Sequence, residues 1–387
     1  MVRVTLDWVQ LVIVVAAFQG LFLSAVLVTQ RQNRTANRLL AALVLTFSVY
    51  LASSVYYSAG LINEFPHFFG VSYPTTWLFG PLVYLYAVAA SDRAWHLTKR
   101  ELLHFAPAAV AMILAVPYLL QSGAGKIATL ARFMSEGEPT PLAVMDPTKY
   151  ASGIGYSIAT VLHLRTHRRR VQDSYSNMTH VSLRWLMLLV GAACATWALA
   201  TVLRVSDFSE RLREEHISLA IALIVYAIGY IGLKQPEVFR HDTAEFPVAV
   251  TRHPEPVTEP AASRYERSGM TAADAERLTS SLTTVMDKEQ LWKDSELTLS
   301  DLARRLDTSP HKLSEVLNAQ VGATFYDFVN GYRVREVQRR IQAGDARSLK
   351  MLALAMDAGF ASKSTFNDAF KKHTNLTPSG YRQTVGA

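Results

Sequence analysis

The sequence predicts an all-α protein with a seven-helix transmembrane bundle, followed by a soluble all-α domain with two helix-turn-helix units joined by a long helix. Three observations support this fold class. Long uncharged runs fill residues 1–233, a Pro-rich stretch follows, and helical periodicity with capping residues returns after residue 270. Because 50% of the 387 residues are apolar and only 18% are charged, a disordered chain and a single soluble globule are excluded.

Seven uncharged runs are candidates to cross a bilayer, which takes about 20 helical residues. Six are clear, and the seventh, residues 147–164, is shorter and richer in Gly and Ser. Charge bias supports including it, because basic and non-basic connections alternate along the chain only if a helix crosses there. The predicted spans are residues 8–29, 39–61, 73–91, 102–121, 147–164, 185–203 and 217–233.

Several classes of function are disfavoured by what the sequence lacks. Cys194 is the only cysteine, so neither a disulfide framework within the chain nor a Cys-rich zinc site is expected. No Asp, Glu, Lys or Arg lies at the middle of a predicted span, which weakens an ion-coupled transporter. The sequence also has no recognisable nucleophile–base pair or metal-ligand cluster. We therefore expect no enzymatic activity, no cofactor and no metal.

An aromatic cluster lies at the outer end of the second and third predicted spans. Our first interpretation is an interfacial aromatic belt. The alternative is a pocket for a signal ligand. The candidate pocket residues are Phe65, His67, Phe69, Tyr73 and Trp77.

Residues 234–269 lose the helical periodicity and contain five prolines among charges of both signs. This composition is typical of an extended tether. Treated as a flexible coil, it would span on the order of 30–35 Å, so the domain that follows can stand clear of the lipid headgroups.

Capping residues and apolar stripes predict a first helix-turn-helix near residue 300. Ser300 is the expected cap of a short helix over residues 301–306, and Ser309 followed by Pro310 is the expected start of a second. The apolar positions of the second helix fall on one face, which leaves a polar face outward. A short polar helix face held against a first helix is the geometry that enters a major groove of DNA.

The same pattern occurs again near the C terminus. Ser348 is expected to cap a helix over residues 349–358, Gly359 to end it with a positive φ, and Ser362 to cap a helix over residues 363–373. Between the two units, residues 324–343 are predicted to form one longer helix. A helix of this length between the two units can hold their recognition helices about one DNA turn apart, roughly 34 Å.

The C-terminal part contains the segments LTLSDLA (297–303), YRV (332–334), GFASKSTFNDAFKK (359–372) and TPSGYR (377–382). Together they resemble the DNA-binding domain of the AraC/XylS family, over about the last 100 residues. In the N-terminal half, FGPLVYLY (79–86) and HFAP (104–107) are similar to membrane-embedded AraC-type regulators with multispan sensors. This second resemblance rests on two short segments.

The resemblance implies sequence-specific transcriptional regulation, with each recognition helix reading one major groove. By position, the base-reading candidates are His311, Ser314, Glu315, Lys363, Ser364, Asn367 and Asp368. Lys363 suits guanine acceptors, Asn367 suits adenine, and Glu315 can accept from a cytosine amino group. The alternative is that Glu315 and Asp368 are solvated surface charges, because nearby phosphates repel carboxylates.

Residues 300–387 hold 13 Lys and Arg against 8 Asp and Glu, which is a local basic excess. Arg333, Lys371 and Lys372 are the candidates for phosphate contacts, with plain surface positions as the alternative.

The leading hypothesis is a one-component transcription regulator in the bacterial inner membrane, with a sensor (1–233), a cytoplasmic linker (234–269) and a cytoplasmic DNA-binding domain (270–387). The expected partners are double-stranded DNA, the lipid bilayer, an unidentified signal ligand and a second copy of the chain as a homodimer. Family resemblance adds RNA polymerase. Two alternatives stay open: a membrane transporter or enzyme with a regulatory DNA-binding tail, and a regulator whose membrane half is only a tether.

Overall fold

The protein is all-α in a computed structural model, which describes residues 6–92, 94–137, 139–177, 184–205, 210–234, 270–347 and 349–386. Within these ranges no β-strand occurs, apart from one isolated bridge between Tyr175 and Thr298. The chain divides into two compact units, Met1–Arg165 with Leu183–Asp242 and Thr166–Ser182 with Thr243–Ala387. The predicted linker lies outside the described residues, except for Lys234.

The first unit is built from eight helices, counted over the described ranges. They are α1 (Trp8–Thr29), α2 (Arg34–Ser58), α3 (Phe79–Ser91), α4 (Ala106–Leu119), α5 (Gly123–Glu136), α6 (Thr140–Ser174), α7 (Arg184–Val205) and α8 (Glu210–Lys234). A capping box starts α1, because the Asp7 carboxylate accepts from the Gln10 backbone N–H at 2.8 Å and the Gln10 side chain accepts from the Asp7 N–H. The last residues of α6, from Thr166 on, belong to the second unit.

The core of the first unit lies where α1, α2, α3, α7 and α8 pack together. Small residues allow the close approach of these helices, and Ala16, Leu40, Ala87, Leu186 and Val225 at the centre are almost fully buried. Leu164 of α6 joins the same cluster. The short helix α3 is therefore enclosed by longer neighbours.

Four helices of the described chain are long and apolar enough to cross a membrane, whereas the sequence analysis expected seven spans. They are Trp8–Thr29, Arg34–Ser58, Glu101–Leu119 and Leu186–Leu203. These four correspond to the first, second, fourth and sixth predicted spans.

The other three predicted spans differ from a regular apolar helix for separate reasons. Residues 73–91 are divided into a 3-10 helix, Tyr73–Leu78, and the 13-residue α3. Residues 147–164 lie inside α6, where Lys149, Gly153 and Gly155 interrupt the apolar run. In α8, the apolar stretch over the residues whose side chains the structure describes is Glu215–Ile231, which is shorter than the four spans above. In addition, α5 occupies part of what was expected to be a connection, residues 122–146.

Replacing Gly153 with alanine is expected to destabilise the first unit by about 1–3 kcal/mol, because a Cβ at this position would overlap the indole ring of Trp197 on α7. The matched control is Gly155→Ala on the same helix, since a Cβ there meets no atom within 4 Å. Thermal unfolding of the two detergent-solubilised variants measures the difference. Equal melting temperatures would contradict the observed packing of α6 against α7.

The second unit contains seven α-helices within residues 270–347 and 349–386, the part of it described after the linker. They are α9 (Ala272–Glu289), α10 (Leu299–Arg305), α11 (Pro310–Val316), α12 (Phe325–Gln342), α13 (Met351–Asp357), α14 (Lys363–Thr374) and α15 (Pro378–Val385). Their core includes Leu302, Leu313, Val337, Leu354 and Phe370, each with essentially no exposed surface. The helix-turn-helix pairs α10–α11 and α13–α14 therefore share one core with α12.

One predicted cap, Ser300, is wrong, Ser309 and Ser362 are confirmed, and Ser348 lies outside the described residues. Thr298, rather than Ser300, caps α10, because its hydroxyl accepts from the Asp301 backbone N–H at 3.2 Å. Lys350 is the N-cap residue of α13 and makes no side-chain cap bond, whereas the expected cap Ser348 lies outside the described residues. The predicted caps Ser309 and Ser362 accept from the backbone N–H groups of Lys312 and Thr365.

Candidate nucleic-acid interface

The first helix-turn-helix holds α11 against α10 through a tight turn. Asp307 in this turn has a φ of 51°, a left-handed conformation that a short polar residue adopts more easily than a branched one. Ser309 then caps α11, and Pro310 occupies its first position, where no N–H is needed. Leu313 and Val316 face the core, so the opposite face of α11 is turned outward.

The second helix-turn-helix repeats this arrangement with a glycine in the turn. Gly359 has a φ of 86°, as expected from the sequence, and Ser362 caps α14 by accepting from the Thr365 N–H at 3.1 Å. Phe366 and Phe370 are buried, and their rings contact each other with centroids 5.5 Å apart. This packing fixes which face of α14 is exposed.

The helix between the two units, α12, is 18 residues long and therefore about 27 Å in length. Thr324 caps it, and Val329, Val334 and Val337 are buried against the two helix-turn-helix units. Because α12 packs against both, it holds them as one body. The spacing of about one DNA turn between recognition helices stays a prediction.

The outer face of α14 carries the predicted base-reading residues of the second unit. Lys363, Ser364, Asn367 and Asp368 are all exposed. Lys363 and Asn367 lie four residues apart, and Lys371 follows at the next interval of four, so the three form one stripe along the helix. Neither Lys363 nor Lys371 has an acidic ion-pair partner among the described residues. This stripe combines positive charge with an amide, the groups that bind phosphate and base edges.

The outer face of α11 is less basic and includes a partly buried carboxylate. His311 is exposed, and its Nδ1 lies 4.0 Å from Oε2 of Glu315. The Glu315 side chain is only 13% exposed, and its Oε2 accepts no hydrogen bond from the described residues. Ser314 is half-buried. Glu315 is therefore less accessible than the sequence alone suggested, although its role in base reading stays a prediction.

Of the three predicted phosphate contacts, Lys371 is exposed and Lys372 is exposed but paired. The ammonium group of Lys372 lies 2.6 Å from Oδ1 of Asp327, at the start of α12. This ion pair ties α14 to α12 and offsets part of the charge that Lys372 would bring to a phosphate.

Arg333 is not available to bind a phosphate, contrary to the sequence-based expectation. Its side chain has no exposed surface, and all five N–H groups of the guanidinium donate within the protein. Burial lowers its pKa from the ordinary value of an arginine to about 10, with neighbouring Asp294 opposing the shift, so it is still cationic at neutral pH. Arg333 is thus a structural residue.

Four exposed or partly buried arginines of the second unit also have acidic partners inside it. Arg304 pairs with Asp301, Arg305 with Glu289, and Arg339 with Glu336. Arg340 pairs with both Asp345 and Asp357. The nitrogen–oxygen distances in these ion pairs are 2.6–3.0 Å. The charges of these four arginines are therefore held by carboxylates of the same domain. Because Lys363 and Lys371 are exposed and have no acidic partner in the part of the chain that the structure describes, α14 is the more basic of the two recognition helices.

In the first unit, the five aromatic candidates for a ligand pocket do not form one cluster. Phe69 packs with Tyr56 and Ile62, whereas Trp77 packs with Ala108 and Ala111 in a separate cluster. The Trp77 indole donates to Thr148 Oγ1 at 2.9 Å, and Tyr73 lies beside it with ring centroids 5.0 Å apart. Phe65 and His67 are exposed. Packing accounts for Phe69 and Tyr73 in this structure, and packing together with the indole hydrogen bond accounts for Trp77.

Sequence reasoning did not identify a second polar cluster within the first unit. His104 Nδ1 lies 2.7 Å from the Tyr156 hydroxyl, and both rings contact Tyr84. The ring of His163, on α6, lies 6.3 Å from that of Tyr84. The sequence signal was present as two isolated histidines in otherwise apolar segments, but only the fold brings them to one tyrosine.

Comparison with known proteins matches the C-terminal part of the chain. Residues 302–384 fit the family model of a helix-turn-helix domain. YtdP of Bacillus subtilis, an uncharacterized HTH-type transcriptional regulator, is 31% identical over 90 residues, which are 23% of this chain and 11% of YtdP. PqrA of Proteus vulgaris, a probable transcription factor, is 29% identical over 94 residues, which are 24% of this chain and 75% of PqrA.

HptR of Staphylococcus aureus, a transcriptional regulatory protein, is 27% identical over 97 residues, which are 25% of this chain and 37% of HptR. The chain thus spans a small part of YtdP and about a third of HptR. No solved structure matches the chain. The match covers both helix-turn-helix units, so residues 302–384 form a helix-turn-helix domain similar to those of transcriptional regulators, as the sequence motifs indicated.

Proposed function

We propose that this chain is a membrane-anchored transcription regulator that binds specific DNA sequences through α11 and α14. In this proposal the N-terminal unit crosses the bacterial inner membrane and senses an envelope or membrane signal. The C-terminal domain lies in the cytoplasm. The helix-turn-helix domain and its relatives favour a regulator over an enzyme or a transporter.

The observation that carries the DNA-binding part is the exposed stripe of α14. Lys363, Asn367 and Lys371 follow one another at intervals of one helical turn on a helix that is capped and held by a buried aromatic cluster. A rigid helix with an amide between two cations can read a base edge while neutralising phosphates on either side. By comparison, α11 contributes shape and polar contacts.

Seven spans remain our proposal for the first unit because the three irregular segments all take part in its helix packing. The 3-10 helix Tyr73–Leu78 and α3 together measure about 31 Å, close to the hydrocarbon thickness of about 30 Å. Leu164 of α6 and Val225 of α8 lie in the same buried cluster as α1 and α2. A non-regular segment at membrane depth is tolerated where protein surrounds it.

We expect Asn367→Ala to relax sequence preference at one base pair by about 1–3 kcal/mol, because the bidentate amide contact is lost. Lys371→Ala should instead weaken binding to all sequences and lower the salt slope by about 1. The measurement is a gel-shift titration of the full-length protein in detergent, on a site selected from random duplex DNA. Gln383→Ala, an exposed change on α15, is the control. If it matched Asn367→Ala in base preference, the assignment of α14 would be wrong.

The topology is tested by fusing alkaline phosphatase, which is active only in the periplasm, after Ala387. An odd number of spans with the N terminus outside places this end in the cytoplasm, so the fusion should be inactive. A fusion after residue 64, between the second and third proposed spans, should be active. Activity of the Ala387 fusion would contradict both the seven-span count and the access of the domain to DNA.

Exchange of the whole first unit separates a sensor from a tether. Residues 1–233 are replaced by an unrelated seven-span anchor, and a reporter gene under the selected site is followed during envelope stress. Loss of the response supports a sensor. An unchanged response would show that the first unit only anchors the chain.

A further inference from the structure

Beyond the two helix-turn-helix units, the second unit contains a segment from far earlier in the chain. Residues 166–182 group with residues 243–387, although more than a hundred residues separate Ser176 from its nearest partner, Leu297. Ser176 has no exposed surface and Asn177 only 7%. These residues follow the C-terminal end of α6.

Ser176 satisfies polar groups that would otherwise be left without a partner. Its hydroxyl donates to the Leu297 carbonyl at 2.6 Å, and the same oxygen accepts from Nη2 of Arg333 at 3.2 Å. Its backbone carbonyl accepts from Nη1 of Arg333 at 3.2 Å and from Nδ2 of Asn330 at 3.0 Å. Two of the five hydrogen bonds of the buried guanidinium therefore go to this one serine.

The neighbours of Ser176 extend the contact toward the first helix-turn-helix. Tyr175 forms a backbone bridge with Thr298, the residue that caps α10. The Asn177 amide donates to Oε1 of Glu296 at 3.2 Å. The segment thus lies along residues 296–298, which lead into α10.

Arg333 links the same contact to the second helix-turn-helix. Its Nε donates to the Trp292 carbonyl at 2.7 Å. That carbonyl lies against Gly359, where no Cβ could be accommodated, in the turn between α13 and α14. One hydrogen-bonded network therefore connects Ser176 to the segment before α10 and to the turn before α14.

We propose that residues 175–177 are a docking segment for the DNA-binding domain, and that their docking around Arg333 favours the arrangement of α11 and α14 that binds DNA. This inference rests on the proposed function and adds its regulation. Undocking would remove the acceptors of two of the five Arg333 N–H groups and of one N–H of the Asn330 amide. Because unpaired buried donors are costly, we expect two distinct states rather than a continuous range. A shift of α6 would change the relative populations of the docked and undocked states. No signal would then have to pass through residues 235–269.

Docking is tested by cross-linking in the full-length protein, with Cys194→Ser to remove the native thiol. Asn177→Cys and Glu296→Cys are joined with a short bis-maleimide, and a protease site placed within residues 243–269 is then cut. We expect the two halves to remain linked on a denaturing gel. In the control pair, Asn177→Cys with Gln383→Cys, the halves should separate. Separation of the first pair as well would overturn the docking.

Coupling to DNA is tested with Ser176→Ala, which removes one hydroxyl and leaves the backbone intact. Loss of a buried hydrogen bond to a charged group should shift the docking equilibrium by roughly tenfold or more. We expect a matching loss of cross-linking and about tenfold weaker DNA binding in the full-length protein. Ser280→Ala, a change at an exposed serine of α9 whose hydroxyl donates to the Glu276 carbonyl on the same helix, should change neither.

The outcomes separate the two proposals. Reduced cross-linking with unchanged DNA affinity in Ser176→Ala would overturn the coupling. If the unsubstituted chain bound no DNA at any salt concentration, the proposed function would fail, and the cross-link would still decide whether the segment docks. A cross-link unaffected by Ser176→Ala would show that the hydroxyl does not hold the segment.

Discussion

Replacing Arg333 with alanine is expected to destabilise the second unit by about 3–5 kcal/mol, because breaking a buried charged network leaves its partners unpaired. The Trp292 and Asp294 carbonyls, which accept from Arg333 at 2.7 Å each, would lose this donor. The cavity left by the side chain adds to this effect, and so does the lost contact with the ring of Phe360, 5.9 Å from the guanidinium carbon.

Pulse proteolysis of the full-length protein in urea measures this change, with the C-terminal fragment as the readout. Arg339→Ala on the same helix is the matched control, since Arg339 is exposed and forms a surface ion pair with Glu336. We expect it to have little effect. Arg333→Lys should rescue only part of the loss, because an ammonium group cannot reproduce the fork of the guanidinium. Equal stability of the two alanine variants would refute the structural role of Arg333.

Gly359→Ala is the second substitution with a large expected effect, about 2–5 kcal/mol. Two costs combine at this position. A left-handed backbone costs an alanine about 1–2 kcal/mol. In addition, the new Cβ would overlap the Trp292 carbonyl oxygen and lie 2.7 Å from that of Lys293. Because backbone atoms cannot rotate away, the turn between α13 and α14 has to move.

Gly322→Ala separates these two costs. Gly322 has a φ of 68°, but a Cβ there meets no atom within 4 Å, so only the conformational cost applies. The same pulse proteolysis assay compares the variants, and DNA binding by Gly359→Ala should fall along with stability. Should both glycine variants lose the same stability, the contact with residues 292 and 293 would contribute nothing.

The helix-turn-helix units were predictable because local chemistry encodes them. Ser309 with Pro310, Gly359 and Ser362 mark helix ends through their own backbone preferences, and the structure confirms each of them. The apolar spacing of α14 likewise placed Phe366 and Phe370 inside and Asn367 outside. Where two capping residues were close in sequence, local rules were insufficient, and Thr298 rather than Ser300 starts α10.

The membrane half was less predictable from the sequence because length and composition do not specify how a segment folds. Uncharged runs identified four regular helices correctly. The run over residues 73–91 instead begins as a 3-10 helix, with Pro74 near its start, before α3 begins at Phe79. Phe69 and Trp77, neighbours in an aromatic cluster of the sequence, pack into separate clusters.

The sequence by itself determined the all-α class, the helix-turn-helix domain and the outward face of α14, since these depend on spacing and caps within a few residues. Only the tertiary structure decided which cations are available to DNA. Arg333 looked like a surface residue in its own helix, and its burial depends partly on Ser176, 157 residues away. A side chain is accessible or buried according to what packs over it, and in this protein the covering segment comes from another part of the chain.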